Sequence, residues 1–109
     1  MENLNEKIED IVEILELIRE KFKSPDINIL RSSFDTIEEV ISELEAHIFK
    51  IKKEDFSTIG KLIVLFAPTS DLQEIAIDSG WGQLFLNISE RFDKAVKELI
   101  EEFKIKPYC

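Results

Sequence analysis

His47 is the one histidine of the chain and the first residue to consider for acid–base or nucleophilic chemistry. Glu43 precedes it by four residues, so a helix would bring a carboxylate next to the imidazole. Nucleophilic catalysis also needs a placed nucleophile and donors for an oxyanion, and the sequence indicates neither. We therefore expect no catalytic residue and place His47 at the boundary of an apolar helix face, half covered by a neighbouring helix. An enzyme would have to act through His47.

The sequence contains no residue pattern that is typical of a metal or cofactor site. Di-iron helical bundles use Glu-x-x-His pairs on two helices, whereas Leu44 stands three residues before the one histidine. The single cysteine, Cys109, excludes an internal disulfide and a multi-cysteine zinc site. Gly80-Trp81-Gly82 lacks the glycine spacing of phosphate-binding loops. The sequence predicts no metal site and no cofactor.

A periodic row of glutamates is the strongest polar pattern. Its members alternate steps of four and three residues and so share one helix face; they are Glu2, Glu6, Glu9, Glu13, Glu16 and Glu20, here called the glutamate stripe. Neighbouring like charges on a helix destabilise it by about 0.2–0.5 kcal/mol per pair. The stripe is either an ordinary solvated face or an electrostatic surface for a basic protein partner.

Two apolar residues extend this candidate surface. Leu17 lies at the edge of the glutamate stripe, outside the apolar face of its own helix. Trp81 falls on the core side of the last helix, where it either plugs the end of a bundle or anchors a partner. The predicted partner-binding residues are Glu6, Glu9, Glu13, Glu16, Leu17 and Trp81.

Composition limits the class of protein. The chain has 109 residues, of which 44% are hydrophobic, with three glycines and three prolines, which suits one helical domain rather than many short strands. Its 23 acidic and 14 basic residues give a net charge of −9, which argues against nucleic-acid or anionic-membrane binding. The acidic N-terminus does not resemble a signal peptide, and the longest apolar run, residues 62–67, is far below the ~20 residues that cross a bilayer. We expect a cytoplasmic protein.

The first half of the chain carries two helical patterns. Apolar residues at steps of three and four predict a helix over residues 3–23. Ser24-Pro25-Asp26 is typical of a second helix start, and an apolar face then continues over residues 27–51. Asp35-Thr36-Ile37-Glu38 is a further capping signal, so this stretch is either one long helix or a short helix, a break near 32–35 and a helix to Lys53. We favour the break, because serine and aspartate side chains there compete for the backbone.

The second half predicts three more helices. Residues 56–66 fit a buried helix or a buried strand; the helix is favoured because the chain offers no good partner strand. Ser70-Asp71-Leu72-Gln73 is a capping box that opens a short helix, which Gly80 would close. A last helix is predicted from Gly82 to about Lys104, before Pro107.

These elements predict one all-α domain over residues 1–109, an antiparallel bundle of three long helices, one buried shorter helix and one short helix before Gly80. The expected function is that of a small acidic protein-interaction module, for instance an inhibitor or immunity-type protein that covers a basic surface. The alternative is a structural homo-oligomer, such as a dimer, in which off-face Phe49 and Leu86 form the interface and the first helix lies outside it.

Overall fold

The computed structural model of the chain describes residues 4–30, 32–68 and 70–105. Within these ranges all regular secondary structure is helical, and no strand is present. The five helices are α1 (Leu4–Lys21), α2 (Ile37–Lys52), α3 (Ile59–Phe66), α4 (Asp71–Asp78) and α5 (Gly82–Phe103). The predicted all-α bundle is confirmed, and residues 59–66 form a helix rather than a strand.

The long helix α1 lies between α2 and α5 and packs against both, while α5 also contacts α3 and α4. The centre of the apolar face of α1 is fully buried. Four of its residues are inaccessible to solvent: Ile11, Ile14, Leu15 and Ile18. Contacts at the two ends of α1 fix its direction relative to α5. Lys7 contacts Glu98, whereas Phe22, just beyond the other end of α1, contacts Trp81. The two helices therefore run antiparallel.

Stacked phenylalanines hold the short helix α3 against α5. The ring of Phe66 lies almost parallel to that of Phe92, with 4.0 Å between ring centroids and 11° between the ring planes. Its centroid lies 5.9 Å from that of Phe85. Such aromatic pairs add about 0.5–1.5 kcal/mol beyond the burial of their area. An eight-residue helix is marginal by itself, so this packing is what stabilises α3.

Local capping signals operate as predicted at two helix starts. The Thr36 hydroxyl accepts a hydrogen bond from the Glu39 N–H at 3.2 Å, and the Ser70 hydroxyl accepts one from the Gln73 N–H at 3.3 Å. Gly80 follows α4 with φ of +88°, the left-handed backbone that glycine adopts without strain.

Three predicted helix boundaries shift slightly. Helix α1 ends at Lys21 instead of residue 23, and residue 3 lies outside the described ranges. Helix α3 begins at Ile59 instead of residue 56, after a turn in which the Ile59 N–H donates to the Phe56 carbonyl at 3.1 Å. Helix α5 ends at Phe103 because Lys104 has a positive φ of 53°, a left-handed conformation that stops the helix.

The helix start predicted at Ser24 is wrong. The described residues between Phe22 and Thr36 form turns and extended backbone, so the predicted break is real but spans the whole connection. Side chains satisfy the backbone here in place of helical bonds: the Asn28 N–H donates to the Ser79 hydroxyl at 2.8 Å, and the Ser32 hydroxyl donates to the Ile29 carbonyl at 2.7 Å. The isoleucines of this segment pack on the core from a loop, not from a helix.

Candidate partner-binding face

The glutamate stripe borders a groove between α1 and α5. Glu6, Glu9 and Glu13 line this groove, which has a volume of about 430 Å³. We call it the α1/α5 groove; its other titratable lining residues are Lys7, Asp10, Arg91, Lys94 and Glu98. The lining thus holds five acidic and three basic side chains, and its formal charge is negative.

Two of the three bases are engaged by acidic residues across the groove. The Lys7 side chain is only 4% exposed, and its ammonium contacts the Glu98 carboxylate. The Arg91 guanidinium contacts Asp10 and lies 3.5 Å from Glu13 Oε2. The hydrogen bond from Lys7 lowers the pKa of Glu98, and the hydrogen bond to Asp10 raises the pKa of Arg91. Two ion pairs therefore connect α1 and α5 across the groove.

These two pairs escaped the sequence reasoning. Lys7 lies outside the glutamate stripe, and nothing in its neighbourhood along the chain indicates a partner. Its partner Glu98 is 91 residues away. Ion pairs of this kind follow from the tertiary contact of α1 with α5, for which a single sequence offers no local signal.

At the C-terminal end of α1, the glutamates of the stripe contact basic residues that are only three positions away in the sequence. Arg19 Nη2 lies 4.0 Å from Glu16 Oε2, and Arg19 Nη1 lies 3.7 Å from Glu45 Oε2 of α2. Lys23 Nζ lies 2.9 Å from Glu20 Oε2, and this hydrogen bond lowers the pKa of Glu20. The four glutamates that are predicted to bind a partner, Glu6, Glu9, Glu13 and Glu16, share the outer surface of α1. Glu2 lies outside the described residues.

Leu17 lies on the same outer surface of α1 and is 43% exposed. Because seven residues make almost two helical turns, Leu17 is in line with Asp10 along α1. The structure therefore brings the four predicted glutamates and Leu17 onto one surface of one helix.

Trp81 lies at the opposite end of α1 from Lys7. Its ring meets Phe22 and Phe85 edge-on, with centroid distances of 6.1 and 6.3 Å. The ammonium of Lys21 lies 5.9 Å from the ring centroid, within cation–π distance. Trp81 is partly buried and closes the end of the bundle, and it also lines a small surface pocket of about 190 Å³.

His47 is more deeply buried than the half-covered position predicted for it, with 5% of its surface exposed. Its Nδ1 lies 3.2 Å from Thr58 Oγ1 and its Nε2 lies 3.7 Å from Glu43 Oε1. Burial lowers the pKa of His47, against the opposing effect of Glu43. The imidazole of His47 thus joins α2 to the residue before α3. Thr58 was missed because it belongs to another element, eleven residues further along the chain.

Neither a metal-ligand cluster nor a membrane-spanning helix is present in the part of the chain that the structure describes. No three or more side chains of the ligand types His, Cys, Asp and Glu are grouped there so as to hold a metal ion. None of the five helices combines the length and the apolar character that a bilayer crossing requires.

Comparison with known proteins adds no assignment. No protein-family model matches this sequence, and no curated protein or solved structure is significantly similar to it.

Proposed function

We propose that this protein is an interaction module that binds a basic surface of a partner protein through the glutamate stripe of α1. The observation that carries the proposal is the distribution of charge around the α1/α5 groove. Lys7 and Arg91 form ion pairs across the groove, and the stripe residues Glu6, Glu9 and Glu13 are exposed on α1, with Glu13 beside Arg91. A basic partner would therefore meet carboxylates first.

The repulsion within the stripe supports a role other than stability. Glu9 has Glu6 and Glu13 one turn away on either side, and Glu13 has Glu16 three residues further along the helix. Each such pair destabilises a helix by a few tenths of a kcal/mol, and mixed charges would have served solubility equally well. Surfaces that bind partners commonly retain local destabilisation of this kind.

Electrostatic recognition has a characteristic salt dependence. With a net charge of −9, the protein would steer a basic partner toward α1 and repel nucleic acids. Exposed charges are screened over about 8 Å at physiological ionic strength, so association should slow markedly as salt is added. An inhibitor or immunity-type protein that occludes a basic active surface is one form that such a module takes.

The proposal is tested by affinity capture from a lysate of the source cell. The test variant carries Glu6→Gln, Glu9→Gln, Glu13→Gln and Glu16→Gln. A matched control removes four exposed carboxylates elsewhere, by substitution of Glu38, Glu90, Glu101 and Glu102 with Gln. A basic protein held by the native chain and the control but lost by the test variant supports the proposal, provided that circular dichroism shows both variants to be helical. Capture that the stripe substitutions leave unchanged overturns it.

A homo-oligomer is the second candidate, favoured by exposed apolar residues away from the stripe. Phe49 on α2 is 59% exposed and Leu86 on α5 is 43% exposed. The ammonium of Lys53 lies 4.3 Å from the Phe49 ring centroid and covers part of that ring. Light scattering at high protein concentration decides this candidate: a dimer mass supports it and a monomer mass rejects it.

A further inference from the structure

Beyond the end of the α1/α5 groove, each of the two helices carries an exposed leucine. Arg91 of α5 contacts Asp10 of α1, and the two helices are antiparallel. Seven residues onward from Asp10 is Leu17, and seven residues back from Arg91 is Leu84. Because seven residues make nearly two turns, both leucines lie in line with the ion pair, about 10 Å further along the two helices. Leu17 is 43% exposed and Leu84 is 40% exposed.

Acidic and apolar side chains follow one another along the surface of the two helices. Glu6, Glu9 and Glu13 line the groove, and beyond it lie the exposed Leu17 and Leu84, with Glu16 and Glu20 of the stripe next to Leu17 on α1. A groove between two packed helices is the shape into which the ridge of a third helix fits. Apolar anchors at one end and bases at steps of three or four residues along the rest are the complementary pattern on such a helix.

We infer that the α1/α5 groove binds an amphipathic basic helix of a partner protein, with an apolar side chain of that helix seated on Leu17 and Leu84 and its lysines or arginines opposite the stripe glutamates. This inference rests on the proposed function and specifies the partner's chemistry. Charge complementarity excludes a second copy of this chain at the same place, because two glutamate stripes would face each other.

Two synthetic peptides of about 14 residues provide the probe, since a helix of that length covers about 21 Å of groove. Both contain the same leucines and lysines. In the first peptide the leucines share one helix face with lysines flanking them; in the second the order is scrambled so that the leucines are spread around the helix. Binding is measured by fluorescence anisotropy of the labelled peptide at low and high salt.

Three leucine variants locate the apolar contact. Leu17→Ser and Leu84→Ser remove the proposed anchors, whereas Leu86→Ser removes a leucine of the same exposure as Leu17 from the opposite side of α5. We expect the amphipathic peptide to bind more tightly than the scrambled one, and each anchor substitution to weaken it at least about fivefold, as loss of an interface anchor does. The Leu86→Ser variant should bind as the native protein does.

The possible failures are distinct. Equal binding of the two peptides, or anchor variants that bind as tightly as Leu86→Ser, overturns the inference and leaves the acidic surface as proposed. Absence of binding by either peptide at about 1 mM also overturns the inference. Binding that depends on the leucines but is unaffected by the four glutamine substitutions and by salt instead contradicts the proposed function, because the glutamates would then contribute nothing.

Discussion

The buried ammonium of Lys7 contacts the carboxylate of Glu98 and so joins the start of α1 to the last two turns of α5. Because the Lys7 side chain is only 4% exposed, removal of the Glu98 carboxylate leaves a charged group in a poorly solvated position. We therefore expect Glu98→Gln to lower the melting temperature by several degrees, measured by circular dichroism. The control Glu90→Gln, on the same helix, should leave it nearly unchanged. A Glu98→Gln variant as stable as the control would contradict a structural role for this pair.

The same pair predicts a pH dependence in the acid range. Lys7 lowers the pKa of Glu98 below its usual value of 4.5, so the folded protein binds this proton less tightly than the unfolded chain does. The pair therefore stabilises the fold above that pH, and this stabilisation is lost as the pH falls through the lower folded pKa. Urea unfolding of native protein and Glu98→Gln should differ most near neutral pH and converge in acid. A difference that stays constant down to about pH 2 would show that Glu98 acts through packing instead of charge.

The burial of His47 predicts that the stability of the fold also depends on pH in a range closer to neutrality. Glu43 and Lys50 of α2 and Lys61 of α3 face its ring, but burial dominates and lowers its pKa from 6.5. The unfolded chain then takes up this proton at a higher pH than the folded protein, so stability falls as the pH drops below 6.5 toward the folded pKa.

The His47 prediction is checked with two variants measured between about pH 5 and pH 8. His47→Asn cannot titrate in this range and should flatten the dependence of the unfolding free energy on pH. Thr58→Val removes the hydroxyl next to Nδ1 but keeps the imidazole, so it should lower stability while preserving the pH slope. Equal slopes for native protein and His47→Asn would mean that another group titrates.

The sequence correctly predicts those structural features that depend on interactions between residues close together in the chain. The Thr36 and Ser70 caps bond an N–H three residues onward, and Gly80 meets a backbone requirement at its own position. Helix periodicity likewise depends on residues three and four apart. These signals are contained in a short window, and they predicted the helices and the exposed position of the stripe glutamates.

Apart from the shifted helix boundaries, the misses involve residues that are far apart along the chain. Ser24 with Pro25 has the local pattern of a helix start, yet the Asn28 N–H donates to Ser79, 51 residues away, and the Ser33 N–H donates to Asp71. The connection thus contacts both ends of α4 instead of forming a helix. The ion pairs across the α1/α5 groove and the contact of His47 with Thr58 are equally nonlocal. Such contacts depend on how helices are arranged in space, which one sequence without its fold does not specify.

Relief of repulsion within the stripe predicts a stabilising substitution. Glu9 has a glutamate three residues before it and another four residues after it, so Glu9→Gln removes two unfavourable pairs. We expect the unfolding free energy to rise by about 0.4–1 kcal/mol at low salt, with the gain shrinking as salt is added. As a control, Glu45→Gln removes a carboxylate that lies 3.7 Å from Arg19 and should give no gain. Equal effects of the two substitutions would show that general charge reduction, not the stripe, is responsible.

Two substitutions of Trp81 can distinguish its contribution to packing from its contribution to partner binding. Removing its ring by Trp81→Ala deletes two edge-on aromatic contacts from a partly buried site and should destabilise the fold by about 2 kcal/mol. Trp81→Phe keeps a ring against Phe22 and Phe85, so it should retain most of the stability while losing the indole N–H and the outer part of the ring. If Trp81 belongs to the partner-binding surface, as the sequence predicts, Trp81→Phe will reduce partner capture although the variant stays folded. Capture equal to that of the native protein would assign Trp81 to closing the bundle alone, because binding would then not depend on the parts of the indole that phenylalanine lacks.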